Sequence, residues 1–157
     1  METYYKAVAC VLKDIETDPK ILCFVHPPPK NDFQIPKGTV EKDEAYDIAV
    51  LRELEEESGI SKCEIVNKIG VLKRICNGGP NGDQKEEIQL WQMYHIEAKQ
   101  DLAEIWTHIV TGGGLDDGMA YKYFWHSLNS SDFKNFDNVF VRCFDKIKVY
   151  LEIQTNK

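Results

Sequence analysis

The stretch of sequence that decides the fold is GTVEKDEAYDIAVLRELEEESGI, residues 38–60, which ends in a run of acidic side chains. Its apolar residues follow helical spacing and would form one stripe: Ala45, Ile48, Ala49, Leu51 and Leu54. The pattern predicts a helix that begins after Asp43 and ends at Gly59, where a C-cap glycine is expected.

Three of the acidic residues share one face of this predicted helix. Glu53, Glu56 and Glu57 stand at positions i, i+3 and i+4, whereas Glu55 points elsewhere. Like charges at this spacing cost a few tenths of a kcal/mol per pair. Two interpretations are open from the spacing alone: a solvated acidic face, or a platform for a divalent cation, since Mg²⁺ prefers carboxylate oxygens.

The wider pattern favours the platform. Gly38, Glu44 and the run from Arg52 to Ile60 match GX5EX7REUXEEXGU at every fixed position. This motif resembles the Nudix box, the signature of hydrolases that act on nucleoside diphosphates linked to another group. The resemblance implies an α/β fold of the α+β kind, a Nudix-type α/β/α sandwich with a mixed β-sheet between helices, formed as a single domain over residues 1–157.

The resemblance also implies roles for the residues of the box. Mg²⁺ or Mn²⁺ would be held by the carbonyl of Gly38 and by Glu53, Glu56 and Glu57. Glu44, Arg52 and Gly59 would be structural, with the arginine pairing to a box glutamate. The bound ions would coordinate phosphate oxygens and lower the pKa of the attacking water. Lys37 would touch the phosphates or the leaving group, the alternative being a solvated loop lysine.

The general base is left open by the sequence. Many Nudix enzymes carry an extra glutamate outside the box, and five acidic residues here are candidates without one standing out: Glu86, Glu87, Glu104, Asp116 and Asp117. A box glutamate, first of all Glu53, is the alternative.

Strands surround the predicted helix on both sides along the chain. Alternating apolar patterns predict strands at 4–14, 21–27, 63–77, 86–98 and 121–128, a further short strand in DLAEIWTHIV, and an amphipathic helix over 136–153. The first two strands are expected to pair as a hairpin. Residues 27–38 carry four prolines and are expected to form an irregular loop, and the glycine-rich residues 111–120 a second one.

Composition excludes several classes of protein. The formal net charge of −7 over 157 residues disfavours binding to duplex nucleic acid, which attracts basic surfaces. No apolar run is long enough for a membrane span, and the first ten residues contain no signal-peptide core, so the expected location is the cytoplasm. The five scattered cysteines indicate reduced thiols and neither disulfides nor a zinc site.

The substrate is predicted to be a nucleotide. The segment FQIPKGTVE (33–41) looks like the corresponding segment of diadenosine polyphosphate hydrolases, which favours a dinucleoside polyphosphate such as diadenosine tetraphosphate. The alternatives are a nucleoside triphosphate pyrophosphohydrolase, an RNA 5′-end pyrophosphohydrolase, or a non-catalytic nucleotide-sensing module. Candidate substrate-binding residues are Phe33, Lys73, Arg74, Lys85 and His108. The sequence leaves monomer and homodimer equally open.

Overall fold

The computed structural model describes residues 1–77 and 85–156. Within these ranges the chain forms eight strands and two helices. In chain order they are β1 (Glu2–Lys13), β2 (Lys20–Val25), β3 (Phe33–Gln34), β4 (Lys37–Thr39), α1 (Tyr46–Ser58), β5 (Cys63–Asn77), β6 (Glu86–Ala98), β7 (Trp106–Ile109), β8 (Ala120–Ser127) and α2 (Asn138–Thr155).

The strands form one mixed sheet in the order β5-β6-β1-β2-β8-β7, with β4 paired to β1 and β3 paired to β2. The long central pair β1 and β6 runs parallel, from Glu2 opposite Glu87 to Val11 opposite Ile96. The other pairs that the described residues form between strands are antiparallel. This confirms the expected mixed sheet of an α/β fold.

The two helices pack on opposite faces of the sheet, each through an apolar cluster. The run AVACVL in β1 is buried on both faces because alternate side chains point in opposite directions. Val8, Cys10 and Leu12 belong to the cluster packed against α2. Ala7, Ala9 and Val11 belong to the cluster packed against α1. The arrangement is the predicted sandwich of helix, sheet and helix.

The predicted apolar stripe of α1 is partly wrong. Ile48 is 57% exposed, and Ala45 is an exposed N-cap residue. The residues that enter the core are Ala49, Val50 and Leu54, with Leu51 and Tyr46 packed at the edge. The stripe is thus rotated from the predicted one, because the helix turns Val50 rather than Ile48 toward the sheet.

The interpretation of residues 27–38 as wholly irregular is also wrong. Phe33 and Gln34 pair with Val25 and Phe24 of β2 to form β3, and β4 follows at Lys37–Thr39. The prolines do not prevent this, since they lie outside both strands, and the carbonyl of Pro36 accepts a hydrogen bond from the Ala9 N–H at 2.9 Å.

The predicted hairpin of β1 and β2 is present but short. The two strands pair only through Leu12 with Ile21 and Lys13 with Lys20. Further along β1, residues 6–8 pair with β4 instead. Residues 78–83, whose sequence GGPNGD predicts a turn, lie outside the described residues.

Two further expectations concern the membrane and the cysteines. Neither helix in the described ranges has the length and apolar character needed to cross a bilayer. All five cysteines are free thiols, as predicted, and Cys10, Cys23 and Cys143 are buried.

Candidate functional site

The C-terminal end of α1 is held in place by three hydrogen bonds to its backbone carbonyls. Gly59 ends the helix in the left-handed conformation, at φ 82°, and its N–H reaches the Glu55 carbonyl. The Glu56 carbonyl accepts from the Thr111 N–H at 3.0 Å, and the Ser58 carbonyl accepts from the Trp106 indole N–H at 3.1 Å. The acidic end of the helix is therefore fixed against β7 and the 111–118 loop.

Arg52 connects the helix to the loop before it. Its Nε and Nη2 donate to the two carboxylate oxygens of Glu44 at 2.7 and 3.0 Å, and Nη2 also reaches the Thr39 carbonyl at 3.3 Å. The hydrogen bond from Arg52 lowers the pKa of Glu44, and the same bond raises the pKa of Arg52. This two-pronged pair is the loop-to-helix contact that the sequence led us to expect.

The remaining arm of Arg52 lies between two carboxylates of the predicted trio. Nη1 donates to Glu53 at 3.0 Å and to Glu56 at 3.2 Å. Burial raises the pKa of Glu53, and Arg52 opposes that shift. Glu55, by contrast, is exposed, as the helical spacing predicts.

Glu57 is the most buried of the three, at 8% exposure. One of its carboxylate oxygens accepts a hydrogen bond from the Lys37 backbone N–H at 3.1 Å. Burial raises the pKa of Glu57 to about 8, with repulsion from Glu53 adding to the rise and the Lys37 ammonium opposing it. The residues before the box are thus tied directly to its last glutamate.

Glycine leaves room for a carboxylate of α1 at two places where the backbone comes close to it. A Cβ at Gly38 would come closer than 3.0 Å to the Glu53 carboxylate, and one at Gly112 would meet the Glu56 carboxylate in the same way. Gly112 also has a φ of 104°, which side-chain-bearing residues rarely adopt. Strand β4 and the 111–118 loop therefore both come close to the carboxylate face.

These elements surround a cavity of about 370 Å³. Its lining brings together Lys37, five predicted residues of the box and two residues that the sequence did not single out: Gly38, Arg52, Glu53, Glu56 and Glu57, with Lys6 and Gln34. The cavity therefore combines a strongly acidic side with two ammonium groups.

Of the acidic residues outside the box, Asp116 and Asp117 line this cavity. The Tyr121 hydroxyl donates a hydrogen bond to Asp116, and Asp117 accepts from the Gly113 N–H at 3.1 Å. Glu104 lies elsewhere, paired with Lys13 at 2.9 Å. Asp116 and Asp117, both in the glycine-rich loop, are thus candidate bases from outside the box that lie beside it. This proximity depends on the fold, and the local sequence carries no signal of it.

The candidate substrate-binding residues do not gather around the cavity. Phe33 packs against Phe124 and Phe136, and His108 lies behind the C-cap, against Gly59. Lys73 and Lys85 are exposed and lie outside its lining. Arg74 also lies outside the lining, but it is close enough to the cavity for its charge to lower the pKa of Lys37.

Comparison with protein-family models matches residues 3–141 to the NUDIX domain. This chain belongs to the Nudix family. It is accordingly an enzyme of the hydrolase class that acts on phosphorus-containing anhydrides. None of the curated proteins matches the sequence significantly.

Solved structures of Nudix proteins share the fold. An Ap4A hydrolase of C. elegans in a binary complex superposes with a TM-score of 0.66 at 14% identity, covering 95% of this chain and 98% of that one. A MutT Nudix hydrolase of Burkholderia pseudomallei gives 0.58 at 18% identity, covering 97% and 98%. The NUDIX domain of Shewanella oneidensis NrtR, complexed with ADP ribose, gives 0.58 at 13% identity, covering 96% and 90%.

Nudix hydrolases generally need divalent cations, and the carboxylates of this chain fit one by their donor chemistry. One oxygen each of Glu53, Glu56 and Glu57 is hydrogen-bonded, and the other accepts no hydrogen bond within residues 1–77 and 85–156. In the same ranges no three acidic, histidine or cysteine side chains already converge as a metal site. Glu53 and Glu56 are hydrogen-bonded to Arg52, whereas Glu57 is hydrogen-bonded to the Lys37 N–H.

Replacing Arg52 by lysine tests the loop-to-helix contact. Arg52→Lys keeps the positive charge but loses the two-pronged bond to Glu44, because an ammonium group cannot match both carboxylate oxygens. We expect the free energy of unfolding in urea to fall by roughly 1–2 kcal/mol. Arg142→Lys is the matched control, since Arg142 makes a single exposed bond to the Lys73 carbonyl; equal losses in both variants would contradict the assignment.

Proposed function

We propose that this Nudix hydrolase cleaves a phosphoanhydride bond of a dinucleoside polyphosphate such as diadenosine tetraphosphate, using Mg²⁺ or Mn²⁺. The observation that carries the proposal is the cavity whose lining combines Glu53, Glu56 and Glu57 with two lysines, Lys6 and Lys37. Carboxylates that hold divalent cations, opposite fixed positive charge, suit an anionic chain of phosphates.

In this proposal Glu53, Glu56 and Glu57 hold the cation, together with the Gly38 carbonyl. When bound, it would neutralise phosphate oxygens and lower the pKa of the attacking water. The buried carboxylate of Glu57 supports such a role, since burial raises its pKa and a bound cation would stabilise its charged form.

The protein's own groups would manage the proton and the leaving group. The water oxygen bonds to phosphorus as the bridging P–O bond breaks, and the Glu53 carboxylate oxygen that does not hold the cation takes the proton from that water. Burial raises the pKa of Glu53 and so improves it as a base. Asp116 is the alternative base, because Tyr121 holds it at the cavity. The Lys37 ammonium would stabilise charge on the departing phosphate.

The choice of a dinucleoside polyphosphate rests on the segment 33–41 and on the likeness to the C. elegans Ap4A hydrolase. The second candidate is a nucleoside triphosphate pyrophosphohydrolase, an alternative that the sequence leaves open. The two candidates would use the same carboxylates. They differ at the far end of the phosphate chain, where a dinucleoside polyphosphate carries a second nucleoside and a nucleoside triphosphate does not.

Product analysis with Mg²⁺ distinguishes these candidates. The panel comprises diadenosine tetraphosphate, dNTPs, ADP-ribose, NADH, nucleotide sugars and 5′-triphosphorylated RNA. We expect diadenosine tetraphosphate to be the best substrate and to give ATP and AMP. Preferred release of diphosphate from a dNTP would replace the proposal with the second candidate. Folded protein that binds Mg²⁺ and cleaves none of the panel would contradict both.

A further inference from the structure

Lys6 lies in the central strand β1, on the same face as the buried apolar residues Val8, Cys10 and Leu12. In the register of β1 with β4, Lys6 is opposite Thr39 and Val8 is opposite Lys37. Lys6 and Lys37 therefore stand on the same face as diagonal neighbours, a placement that puts Cα atoms roughly 7–8 Å apart. Both side chains line the cavity of the box carboxylates.

Neither ammonium group has a carboxylate partner. Lys6 donates to the Thr39 hydroxyl at 2.7 Å, and Lys37 donates to the Gln34 side-chain oxygen at 3.4 Å. Across the described part of the chain no carboxylate oxygen lies within the 4.0 Å of an ion pair for either one. Lys13 of the same strand differs, since it pairs with Glu104 at 2.9 Å.

Two half-buried ammonium groups that form no direct ion pair among the described residues are unusual, because lysine is seldom buried unless it is paired. Burial lowers the pKa of both groups. The charges of Glu53, Glu87 and Glu57 oppose that shift at Lys6, and the charge of Glu57 opposes it at Lys37. The Lys37 Nζ also lies 5.5 Å from the ring centre of Trp91 and 5.6 Å from that of Phe140. Both ammonium groups are thus held near the carboxylates without a direct ion pair to any of them in the described residues.

We propose that Lys6 and Lys37 together bind a phosphate group of the substrate other than the one attacked, and that Lys6 sets the preference for a chain of phosphates. The proposal rests on the proposed function for the position of the attacked phosphate. Its own basis is the lysine pair. Two ammonium groups on one face provide several N–H donors for a phosphate, and their charge offsets the repulsion from the carboxylates opposite.

Binding of inorganic tripolyphosphate tests the site with a chain of phosphates that carries no nucleoside. Isothermal titration calorimetry in Mg²⁺ would compare wild type with Lys6→Gln, Lys6→Arg and Lys13→Gln. We expect Lys6→Gln to weaken binding about tenfold, as for the loss of one hydrogen bond to a charged group. Lys6→Arg should retain most of the affinity, and Lys13→Gln, the same change on the same strand, should stay within about twofold of wild type.

Equal affinity of wild type and Lys6→Gln, or no binding by wild type, would overturn the proposal. Should Lys6→Gln unfold, Lys37→Gln provides the same comparison, since its charge serves the same phosphate. Kinetics with the preferred substrate of the panel add a second readout, in which Lys6→Gln should raise KM more than it lowers kcat.

The two proposals can fail separately. If binding of tripolyphosphate depends on Lys6 but diadenosine tetraphosphate is not cleaved, the phosphate site stands and the proposed substrate is wrong. If Lys6→Gln cleaves diadenosine tetraphosphate with unchanged KM, the proposed substrate stands and the phosphate site is wrong.

Discussion

Glu56→Gln is expected to lower kcat/KM by at least about a hundredfold while the protein stays folded. Changing a residue that only orients a metal ligand typically lowers metal affinity or activity 10–100-fold. Glu56 is proposed as a ligand itself, so its loss should cost at least as much. The fold should tolerate the change, because a glutamine oxygen can still accept the hydrogen bond from Arg52 Nη1. Steady-state kinetics in Mg²⁺ and urea unfolding measure the two parts of the expectation.

Glu55→Gln is the matched control for this result. Glu55 stands in the same turn of α1 but is exposed and outside the cavity lining, so its activity should stay within about twofold of wild type. A Glu56→Gln protein with full activity, or equal losses in the two variants, would show that the carboxylate face is not the catalytic platform.

Gly38→Ala is expected to lower activity about a hundredfold with little loss of stability. The added methyl group would meet the Glu53 carboxylate at under 3.0 Å, and the carboxylate, at the end of a flexible side chain, would turn away. The backbone at Gly38 has no positive φ, so alanine brings no conformational strain there. A displacement of about 1 Å at a catalytic group can cost about 100-fold in rate.

Gly114→Ala serves as the comparison for this prediction. A Cβ at Gly114 meets no atom within 4 Å, and the position has no positive φ, so activity should change less than about threefold. The free energy of unfolding of Gly38→Ala should stay within about 1 kcal/mol of wild type. A variant that loses its activity only by unfolding would show that Gly38 serves the fold and not the position of Glu53.

Local spacing accounts for what could be predicted about the site. Glu53, Glu56 and Glu57 share a face in any regular α-helix, and Gly59 ends the helix through its own backbone conformation. The box also placed Arg52 against Glu44, a contact across eight residues. The roles of these residues in metal binding and catalysis stay predictions until the variants are measured.

Contacts between distant segments account for most of what was missed. Lys6 belongs to the site because β4 returns to pair with β1, and a lysine in an apolar strand was the one signal in the sequence. Asp116 reaches the cavity because the Thr111 N–H fastens its loop to α1. Apolar spacing alone did not decide whether Ile48 or Val50 faces the sheet, since the two residues lie roughly 200° apart around the helix.

The most direct test of the account is a calorimetric titration of Mn²⁺ into wild type, Glu55→Gln, Glu56→Gln and Glu57→Gln. Wild type and Glu55→Gln are expected to bind Mn²⁺ with similar affinity. Glu56→Gln and Glu57→Gln should bind at least about tenfold more weakly, because each lacks one carboxylate ligand. Equal affinity in all four proteins, or no binding by wild type, would contradict the claim that this face of α1 holds a divalent cation.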